Sequence, residues 1–527
     1  MWRFSLRLTS YHPLPVPTRL VRLAHTMSKD FIRVAPYSAL QTHSRFHLNL
    51  RSREGVYHSL ILFRLSDGPG LERDAAPLLA HPSNTELEAK GQRRQLYAME
   101  SACPHLGADM SHADIEEYDG GPVAVCPWHR YDFDLSTGES MSGLRACTYE
   151  VNLRGDDEEV WVEAPREGRD WTVVELRPVS EAFADPPPAT AKLASALDGL
   201  SLSGAPKSVA EEPVTPSANA PKTLIDWAIL ILNTPDPSLK VARTRHAVHL
   251  FRTAQLLSIG HKSPNPRRPP DVPPRHEQYL ANVVDPAATA RRRNRVGMLH
   301  ALANIEQWAV DLAWDIIARF GPLHKDLPAA FFTDFTRMAL DESKHFSLLC
   351  SRLAALAPDT PYGSLPVHAG LWDSARATFP SLRSRLAIIH LVHEARGLDV
   401  NPGTIEKFRR SGDRESVQAL EVIHADEVTH VTTGHRWFVW CCEREGLDPV
   451  ETFREEVRKG FMGHIKGPFN APARETAGMT PAFYEDLKGE MTLDEWNVAS
   501  KTVGATAGPS EGAALDRDGK GQIGYES

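Results

Sequence analysis

Two short segments pair a cysteine with a histidine. Cys103 and His105 enclose one proline in C-P-H, and Cys126 and His129 form C-P-W-H. Two thiolates and two imidazoles are the ligands of a [2Fe–2S] cluster in which sulfur binds one iron and nitrogen binds the other. Each segment would then give one ligand to each iron. These residue types also leave a Cys2His2 zinc site open as an alternative.

The elements that must hold these segments are short strands. From residue 30 to residue 179, runs of strand-forming residues such as YHSLILFRL, GPVAVCPWH and WTVVELRPV alternate with turns, which predicts a small all-β domain. The proline after each cysteine stiffens its loop. A stretch rich in Gly, Pro and Ala from Ser66 to Arg94 is predicted to be a surface loop.

The two segments and their surroundings resemble the Rieske domain family, and the resemblance extends through Y-D-F and S-T-G-E after His129. It implies a [2Fe–2S] cluster that transfers single electrons and is bound by Cys103, His105, Cys126 and His129. Family members of the cytochrome bc type add a cysteine after each loop, where this chain has Ala108 and Arg130. The resemblance is therefore to the soluble ferredoxin and oxygenase subtype, of lower potential, in which a glycine usually stands at the position of Arg130.

A second set of residues with metal-binding chemistry follows in the C-terminal half. Two E-x-x-H pairs each place a carboxylate and an imidazole on one helix face, and two further glutamates stand alone in apolar helices, where an unpaired carboxylate is costly to bury. In chain order the six residues are Glu306, Glu342, His345, Glu394, Glu427 and His430. This order of Glu, E-x-x-H, Glu and E-x-x-H on successive helices is the ligand set of ferritin-like bundles that bind two iron or manganese ions.

The alternative is a set of partly exposed carboxylates in salt bridges. Asp341 and Asp426, which precede the two E-x-x-H pairs, are predicted to lie around the metal ligands or at the surface. Four other histidines near these motifs are predicted to pack or hydrogen-bond rather than to bind metal: His300, His390, His393 and His424.

From Asp226 to about Tyr484 the chain resembles the ferritin-like family known as DUF455. The phrases LILNTPDPSLKV, LHALANIE, DESKHF, EARGLDVNPG, DEVTHV and PFNAPAR carry the resemblance. It implies an all-α ferritin-like bundle. One departure is Asn304, because most relatives have a histidine two residues before the first ligand glutamate.

Length and composition set the domain organisation. A chain of 527 residues is long enough for two cores. The predicted fold class is a multidomain α and β protein, with an all-β Rieske domain followed by an all-α ferritin-like bundle. The predicted segments are a targeting segment at 1–29, the Rieske domain at 30–179, a flexible Ala/Pro/Ser linker at 180–222, the ferritin-like domain at 223–487 and a disordered tail at 488–527.

Charge and hydropathy exclude some classes of protein. The net charge of −9 argues against a general nucleic-acid binder. No apolar run reaches the roughly 20 residues needed to span a bilayer. Six cysteines, two of them in ligand motifs, favour a reducing compartment. The first 29 residues carry five basic and no acidic residues, which is typical of a mitochondrial transit peptide and predicts the mitochondrial matrix, with the cytoplasm as the alternative.

A one-electron cluster and a di-iron centre in one chain suggest an internal electron donor and acceptor. The leading hypothesis is an iron-dependent oxidoreductase that activates dioxygen, hydroxylase-like, and receives electrons from an upstream reductase. A rubrerythrin-like peroxide reductase is the second hypothesis. Iron handling or redox sensing without catalysis is the third.

Overall fold

A β-rich domain precedes a helical domain, as predicted. The computed structural model describes residues 30–41, 43–65, 95–118, 121–155, 158–179, 212–253, 255–256, 258–284 and 294–500. The predicted targeting segment, the predicted loop between Ser66 and Arg94, and residues 180–211 of the predicted linker lie outside these ranges and stay predictions.

The β domain contains three antiparallel sheets. A five-stranded sheet has the order β11-β2-β3-β4-β8, and three-stranded sheets have the orders β1-β10-β9 and β5-β6-β7. The strands are β1 Phe31–Pro36, β2 Arg45–Arg51, β3 Tyr57–Leu65, β4 Gln95–Glu100, β5 Asp114–Tyr118, β6 Gly121–Val125, β7 Asp132–Asp134, β8 Thr148–Tyr149, β9 Val151–Arg154, β10 Glu159–Glu163 and β11 Thr172–Pro178. Short 3-10 helices occupy Tyr37–Leu40 and Met110–His112.

Strand β3 separates two hydrophobic cores. Successive side chains of a strand point to opposite faces. Leu60 and Leu62 therefore pack into the core beneath the outer sheet, whereas Ile61 and Phe63 pack into the core beneath the cysteine-bearing loops. The alternation of one strand thus fixes the cluster loops on the rest of the domain.

The helical domain is built from twelve helices in the described residues. They are α1 Leu224–Leu232, α2 Pro237–Arg252, α3 Glu277–Leu280, α4 Arg295–Phe320, α5 Ala329–Leu356, α6 Gly370–Ala377, α7 from Leu382 to Arg410, α8 Arg414–Glu445, α9 Pro449–Gly460, α10 Ala471–Thr476, α11 Pro481–Tyr484 and α12 Leu493–Ser500. Helix α7 is continuous but mixed, with an α-helical turn at Leu382–Arg385, a π-helical segment at Leu386–His393 and an α-helical segment at Glu394–Arg410.

Four long helices, α4, α5, α7 and α8, carry the predicted metal ligands. Short connections join α4 to α5 and α7 to α8, and short connections make consecutive helices antiparallel neighbours. The helices bury large apolar side chains against one another, among them Trp314, Phe331, Phe335 and Phe438. No helix in the described part of the chain is long and apolar enough to cross a membrane.

Apolar periodicity in the sequence predicts a helix around Leu382–Arg396, and helix α7 extends beyond that end to Arg410. Pro402 and Gly403 would ordinarily stop a helix, yet both lie within the segment Glu394–Arg410. Tertiary packing overrides the local preference here, because Leu398 and Phe408 on either side of the proline are buried.

Two predicted boundaries differ from the structure. The end of the predicted linker, residues 212–222, is packed on the helical domain, where buried Arg243 binds the carboxylate of Glu212 at 2.5 Å and the carbonyl of Val214 at 3.1 Å. The tail predicted from residue 488 begins as strand β13, Lys488–Glu490, paired with β12, Met462–His464, and continues into α12. Polar composition concealed both, because short surface segments are held by backbone and ion-pair contacts rather than by an apolar face.

The two domains share an extended polar interface. Tyr57 of β3 hydrogen-bonds His435 of α8 at 2.8 Å, and Arg51 of β2 donates to the carbonyl of Glu475 at 2.7 Å. Arg177 of β11 reaches further and binds a carboxylate of α5. The β domain therefore docks directly on the helices that carry the second set of candidate ligands.

A glycine permits the close approach of α7 and α8. A Cβ added to Gly434 would lie 2.7 Å from both the Cβ and the carbonyl oxygen of His390. We expect Gly434→Ala to lower the free energy of unfolding by about 1–3 kcal/mol, the cost of overpacking a core. The matched control is Gly403→Ala in α7, where nothing lies within 4 Å. That change should raise stability by about 0.5–1 kcal/mol, because alanine favours a helix. Urea unfolding followed by circular dichroism measures both, and equal effects would contradict this account of the contact.

Candidate metal centres

The two cysteine loops have the same backbone design. In the first, the Gly107 amide donates to the Cys103 carbonyl and the Cys103 amide donates to the Ala108 carbonyl, both at 2.8 Å. In the second, the Arg130 amide donates to the Cys126 carbonyl at 3.0 Å, and the Cys126 amide donates to a carbonyl five residues further on at 2.7 Å. Both loops thus close over the cysteine and present the following histidine outward.

The shared backbone design of the two loops explains the unusual backbone conformation of Arg130. The fourth residue after each cysteine is left-handed, with φ +77° at Gly107 and +58° at Arg130. Glycine adopts this conformation without strain, whereas other residues pay about 1–2 kcal/mol. Arg130 also makes ion pairs with Asp114 and Glu116 on β5, which anchor the loop to the neighbouring strand.

The four side chains of the loops converge. The sulfur atoms of Cys103 and Cys126 are in hydrogen-bonding contact, which lowers the pKa of Cys126 to about 6 and raises the pKa of Cys103. The imidazole rings of His105 and His129 are 4.9 Å apart. Thiols therefore lie together on one side and imidazoles on the other, the division of ligands that a Rieske cluster requires.

The spacing of the donors fits a two-iron cluster better than zinc. A single tetrahedral zinc binds sulfur at about 2.3 Å and nitrogen at about 2.0–2.1 Å, so its donors crowd within about 4 Å of one another. Among the described residues, the groups whose donor atoms all lie within 4.8 Å of one another do not include these four side chains. Wider spacing leaves room for two irons and their bridging sulfides.

The loops face the helical domain and the solvent. The Trp128 indole donates to the carbonyl of Phe251 at the end of α2, at 3.3 Å. Gly107 approaches Ala329 at the start of α5 so closely that a Cβ on the glycine would lie 3.2 Å from the alanine Cβ. His129 is exposed and His105 is half-buried. The cluster position is thus fixed against helices while one imidazole stays open to solvent.

The conformation of Arg130 is testable with two variants. Both Arg130→Gly and Arg130→Ala lose the ion pairs with Asp114 and Glu116, but only glycine is unstrained at φ +58°. We expect the glycine variant to be more stable than the alanine variant by about 1 kcal/mol. Urea unfolding monitored by the visible absorption of the bound cluster measures the difference. An alanine variant as stable as the glycine variant would argue against a strained backbone.

All six candidate ligands of the helical domain come together. Two groups have donor atoms within 4.8 Å of one another, and the groups share two glutamates. The first group is Glu306, Glu342, His345 and Glu427, and the second is Glu342, Glu394, Glu427 and His430. Each group therefore has one histidine, one glutamate of its own and the shared Glu342 and Glu427, a donor set that could hold metal ions.

The donor atoms are buried without ordinary partners. His430 Nδ1 lies 3.0 Å from one oxygen of Glu342, and His345 Nδ1 lies 3.3 Å from the other. Within the described residues, none of these atoms, nor Oε2 of Glu427, makes a hydrogen bond of normal geometry. Buried polar atoms are almost always satisfied. Orphaned carboxylate oxygens and imidazole nitrogens that face a common centre therefore fit two divalent metal ions.

Burial and mutual repulsion set the proton affinities of the glutamates. Burial raises the pKa of Glu306 well above its usual value, and the carboxylate of Glu342 raises it further. Burial and the neighbouring Glu427 likewise raise the pKa of Glu394. Burial also acts on Glu342, but the two imidazoles outweigh it and lower its pKa. Without cations this group of glutamates therefore retains protons, and binding of metal ions would displace them.

Asp341 and Asp426 lie on the Nε2 side of the histidines, and each faces the histidine of the other helix. Asp426, next to Glu427 on α8, binds His345 of α5, with 2.9 Å from the carboxylate to Nε2. Asp341, on α5, lies 3.5 Å from Nε2 of His430 on α8. A carboxylate at Nε2 fixes the ring so that Nδ1 faces the metal. Asp426 thus orients the histidine of the other helix, and Asp341 lies near Nε2 of His430 without a hydrogen bond of normal geometry.

The other histidines near the motifs have different environments. His300 accepts the Gly363 amide at 2.9 Å, and His393 pairs with the Ser374 hydroxyl at 2.7 Å. His390 is fully buried, and neither of its ring nitrogens has a hydrogen-bonding partner in the described chain. Burial lowers its pKa to about 3, so its ring is neutral. Asn304 accepts the Tyr279 hydroxyl at 2.7 Å and is thereby engaged in hydrogen bonding.

One residue at this site could not be found from the sequence. Arg177 of β11 binds Asp341 and lies 3.5 Å from Asp426. It occurs in an ordinary strand sequence, WTVVELRPV, with no motif around it. Only the docking of the two domains brings it to the carboxylates.

The fold and the two loops define a protein with a Rieske-type domain followed by a helical domain. Comparison with family models agrees, since residues 79–147 match "Soluble Rieske-type ferredoxin" and residues 233–485 match "Protein of unknown function (DUF455)". The predicted fusion of these two domains is therefore confirmed. The Rieske-type domain implies a [2Fe–2S] cluster, electron transfer and a partner that exchanges electrons with it.

Relatives add little about activity. An uncharacterized protein of Haemophilus influenzae is 39% identical over 187 residues, which are 34% of this chain and 64% of that protein. A human Rieske domain-containing protein is 45% identical over 47 residues, 9% of this chain and 30% of that protein. The chain thus spans less than two thirds of either relative. A putative NADH-dependent nitrite reductase small subunit from Mycobacterium tuberculosis aligns over 26% of this chain and 96% of its own, at 16% identity and a TM-score of 0.18. That similarity is too weak to support a functional statement.

The shared glutamates give a stoichiometric prediction. Glu342 belongs to both donor groups, whereas Glu394 belongs to one. We expect anaerobic titration with Fe²⁺ to find two tightly bound ions in the helical domain of the wild-type chain, one in Glu394→Ala and none in Glu342→Ala. His430→Ala should lose at least the second site. Glu443→Ala, an exposed change on α8, is the control and should keep two ions. Two tightly bound ions in Glu342→Ala would show that the metal assignment is wrong.

Proposed function

We propose that this protein is an oxidoreductase in which the Rieske domain passes electrons to a carboxylate-bridged di-iron centre that activates dioxygen. The observation that carries the proposal is the packing of both cluster loops on the helical domain that bears the six candidate ligands. Trp128 fixes one loop to α2, and Gly107 fixes the other to α5. An electron donor and a metal-binding core are thereby held in one assembly.

The separation between the two centres follows from helix geometry. Gly107 lies against Ala329, and Glu342 lies thirteen residues further along α5. At 1.5 Å per residue this corresponds to roughly 20 Å. The rate of electron transfer falls steeply with distance, so it depends on the side chains that lie between the two centres.

Two aromatic rings of α5 lie in the first half of that interval. The ring centroids of Phe331 and Phe335 are 4.7 Å apart, and those of Phe335 and His390 are 5.1 Å apart. Both phenylalanines are fully buried in α5. A buried, packed path supports electron transfer better than solvent, because it needs little reorganisation.

The residues of the helical site have separate roles in this proposal. Glu342 and Glu427, which both donor groups share, would hold both metal ions, and Glu306, Glu394 and the two histidines would supply the remaining ligands. A reduced di-iron centre supplies the chemistry that activates dioxygen or peroxide when the metals are bound. The buried apolar surroundings exclude bulk water from the donor atoms, and the outer aspartates contact Nε2 of the imidazoles and orient them.

The decisive experiment follows the cluster itself. The full chain, with both centres loaded, is reduced anaerobically and mixed with dioxygen while the visible absorption reports oxidation of the Rieske cluster. We expect the cluster to be reoxidised more slowly in Glu342→Ala, by about tenfold or more, the range typical of a damaged metal site. Glu443→Ala is again the control and should behave like the wild-type chain.

The outcomes separate the three hypotheses. Equal reoxidation rates in the wild-type chain and in Glu342→Ala would refute transfer from the cluster to the helical site. Faster reoxidation by hydrogen peroxide than by dioxygen would favour a peroxide reductase. Uptake and release of iron with no effect of either oxidant on the cluster would favour iron handling or redox sensing.

A further inference from the structure

Arg177 stands at the meeting point of the two domains. It belongs to β11, six residues after the buried Trp171 of the β domain, and its side chain contacts the helical domain. There it donates to the carboxylate of Asp341 and lies 3.5 Å from that of Asp426. The side chain of Arg177 is only 17% exposed. One guanidinium of the β domain thus faces two carboxylates from two different helices.

The two aspartates need a cation between them. Asp341 on α5 and Asp426 on α8 are both buried and repel each other. Lys344 also contacts both, at 3.3 and 2.6 Å, but its side chain is 40% exposed and can reach water. The guanidinium is planar, always charged and matches carboxylates through several donors. Arg177 is therefore the better suited group for holding both carboxylates in place.

These two carboxylates in turn face the two histidines of the site. Asp426 binds Nε2 of His345 at 2.9 Å, and Asp341 lies 3.5 Å from Nε2 of His430. Both rings direct Nδ1 towards the shared glutamates. A displacement of either aspartate would free one ring to turn away from the donor group.

We propose that Arg177 is a positioning residue through which the Rieske domain completes the outer shell of the metal site in the helical domain. The inference rests on the proposed di-metal centre. It adds that the metal site is a property of the two docked domains, because a strand of the electron-donor domain supplies a buried guanidinium that, together with Lys344, holds the two aspartates beside the histidines.

Thermodynamic linkage gives a second consequence. If docking of β11 favours metal binding, metal binding favours docking of β11 by the same factor. Loading the helical site with metal should therefore slow exchange of the amide hydrogens of residues 172–177 in the full chain.

The test measures Co²⁺ binding to the full-length chain by titration, with the visible spectrum of the bound ion as the readout of ligand geometry. We expect Arg177→Met to weaken binding by about 10–100-fold, as loss of an outer partner of metal ligands commonly does. Arg177→Lys, which keeps the charge but cannot reach both carboxylates equally, should recover part of the affinity. Arg51→Met is the control, because Arg51 crosses the same interface but binds backbone carbonyls near Glu475.

The outcomes distinguish this inference from the proposed function. A wild-type chain that fails to bind two Co²⁺ ions in the helical domain would refute the di-metal centre and the inference with it. Two ions with unchanged affinity and spectrum in Arg177→Met would refute the role of Arg177 alone. Equal losses in Arg177→Met and Arg51→Met would show that domain docking in general, not this guanidinium, supports the site. If Arg177→Met does not fold, unchanged affinity in Arg177→Lys and Asp426→Asn would overturn the inference.

Discussion

The helical domain is organised around a concentration of buried charge. Four glutamates and two histidines converge between α4, α5, α7 and α8, where their mutual repulsion and desolvation oppose folding. Such a group is tolerable when protons or cations compensate it, and metal ions compensate it best. The requirement extends outward, since the histidines need aspartates and the aspartates need a cation. Each set of charged side chains is therefore balanced by oppositely charged side chains in the next set outward.

The convergence of the six candidate ligands could be predicted because local sequence patterns carry their chemistry. A carboxylate and an imidazole three residues apart share a helix face, and a lone glutamate such as Glu306 in an apolar helix requires a reason to be there. Apolar periodicity likewise predicts long helices in this half of the chain, although α7 extends beyond the end that it predicts. The cysteine loops were recognisable for the same reason, because Cys103, His105, Cys126 and His129 are close in sequence as well as in space.

What could not be predicted depends on contacts between distant segments. In the sequence Arg177 is an ordinary strand residue, and its neighbours give no sign of its contacts with the helical domain. The left-handed backbone at Arg130 follows from the closure of its loop on Cys126, although its equivalence to Gly107 becomes visible once both loops are compared. Pro402 and Gly403 signalled a helix end that packing overruled, and the polar sequence after Leu487 concealed strand β13 and helix α12.

The π-helical segment of α7 sets the rotational phase of that helix. Arg385, before the segment, reaches inward to Asp315 of α4 at 2.6 Å, and Glu394, nine residues later, reaches inward to the donor group. In an α-helix nine residues make two and a half turns, which would place these two side chains on opposite faces. Because each π turn contains more residues, the same nine complete about two turns and return to one face. The segment between Leu386 and His393 therefore acts as a phase shift, and a single residue gained or lost there would decide whether Arg385 and Glu394 can face the interior together.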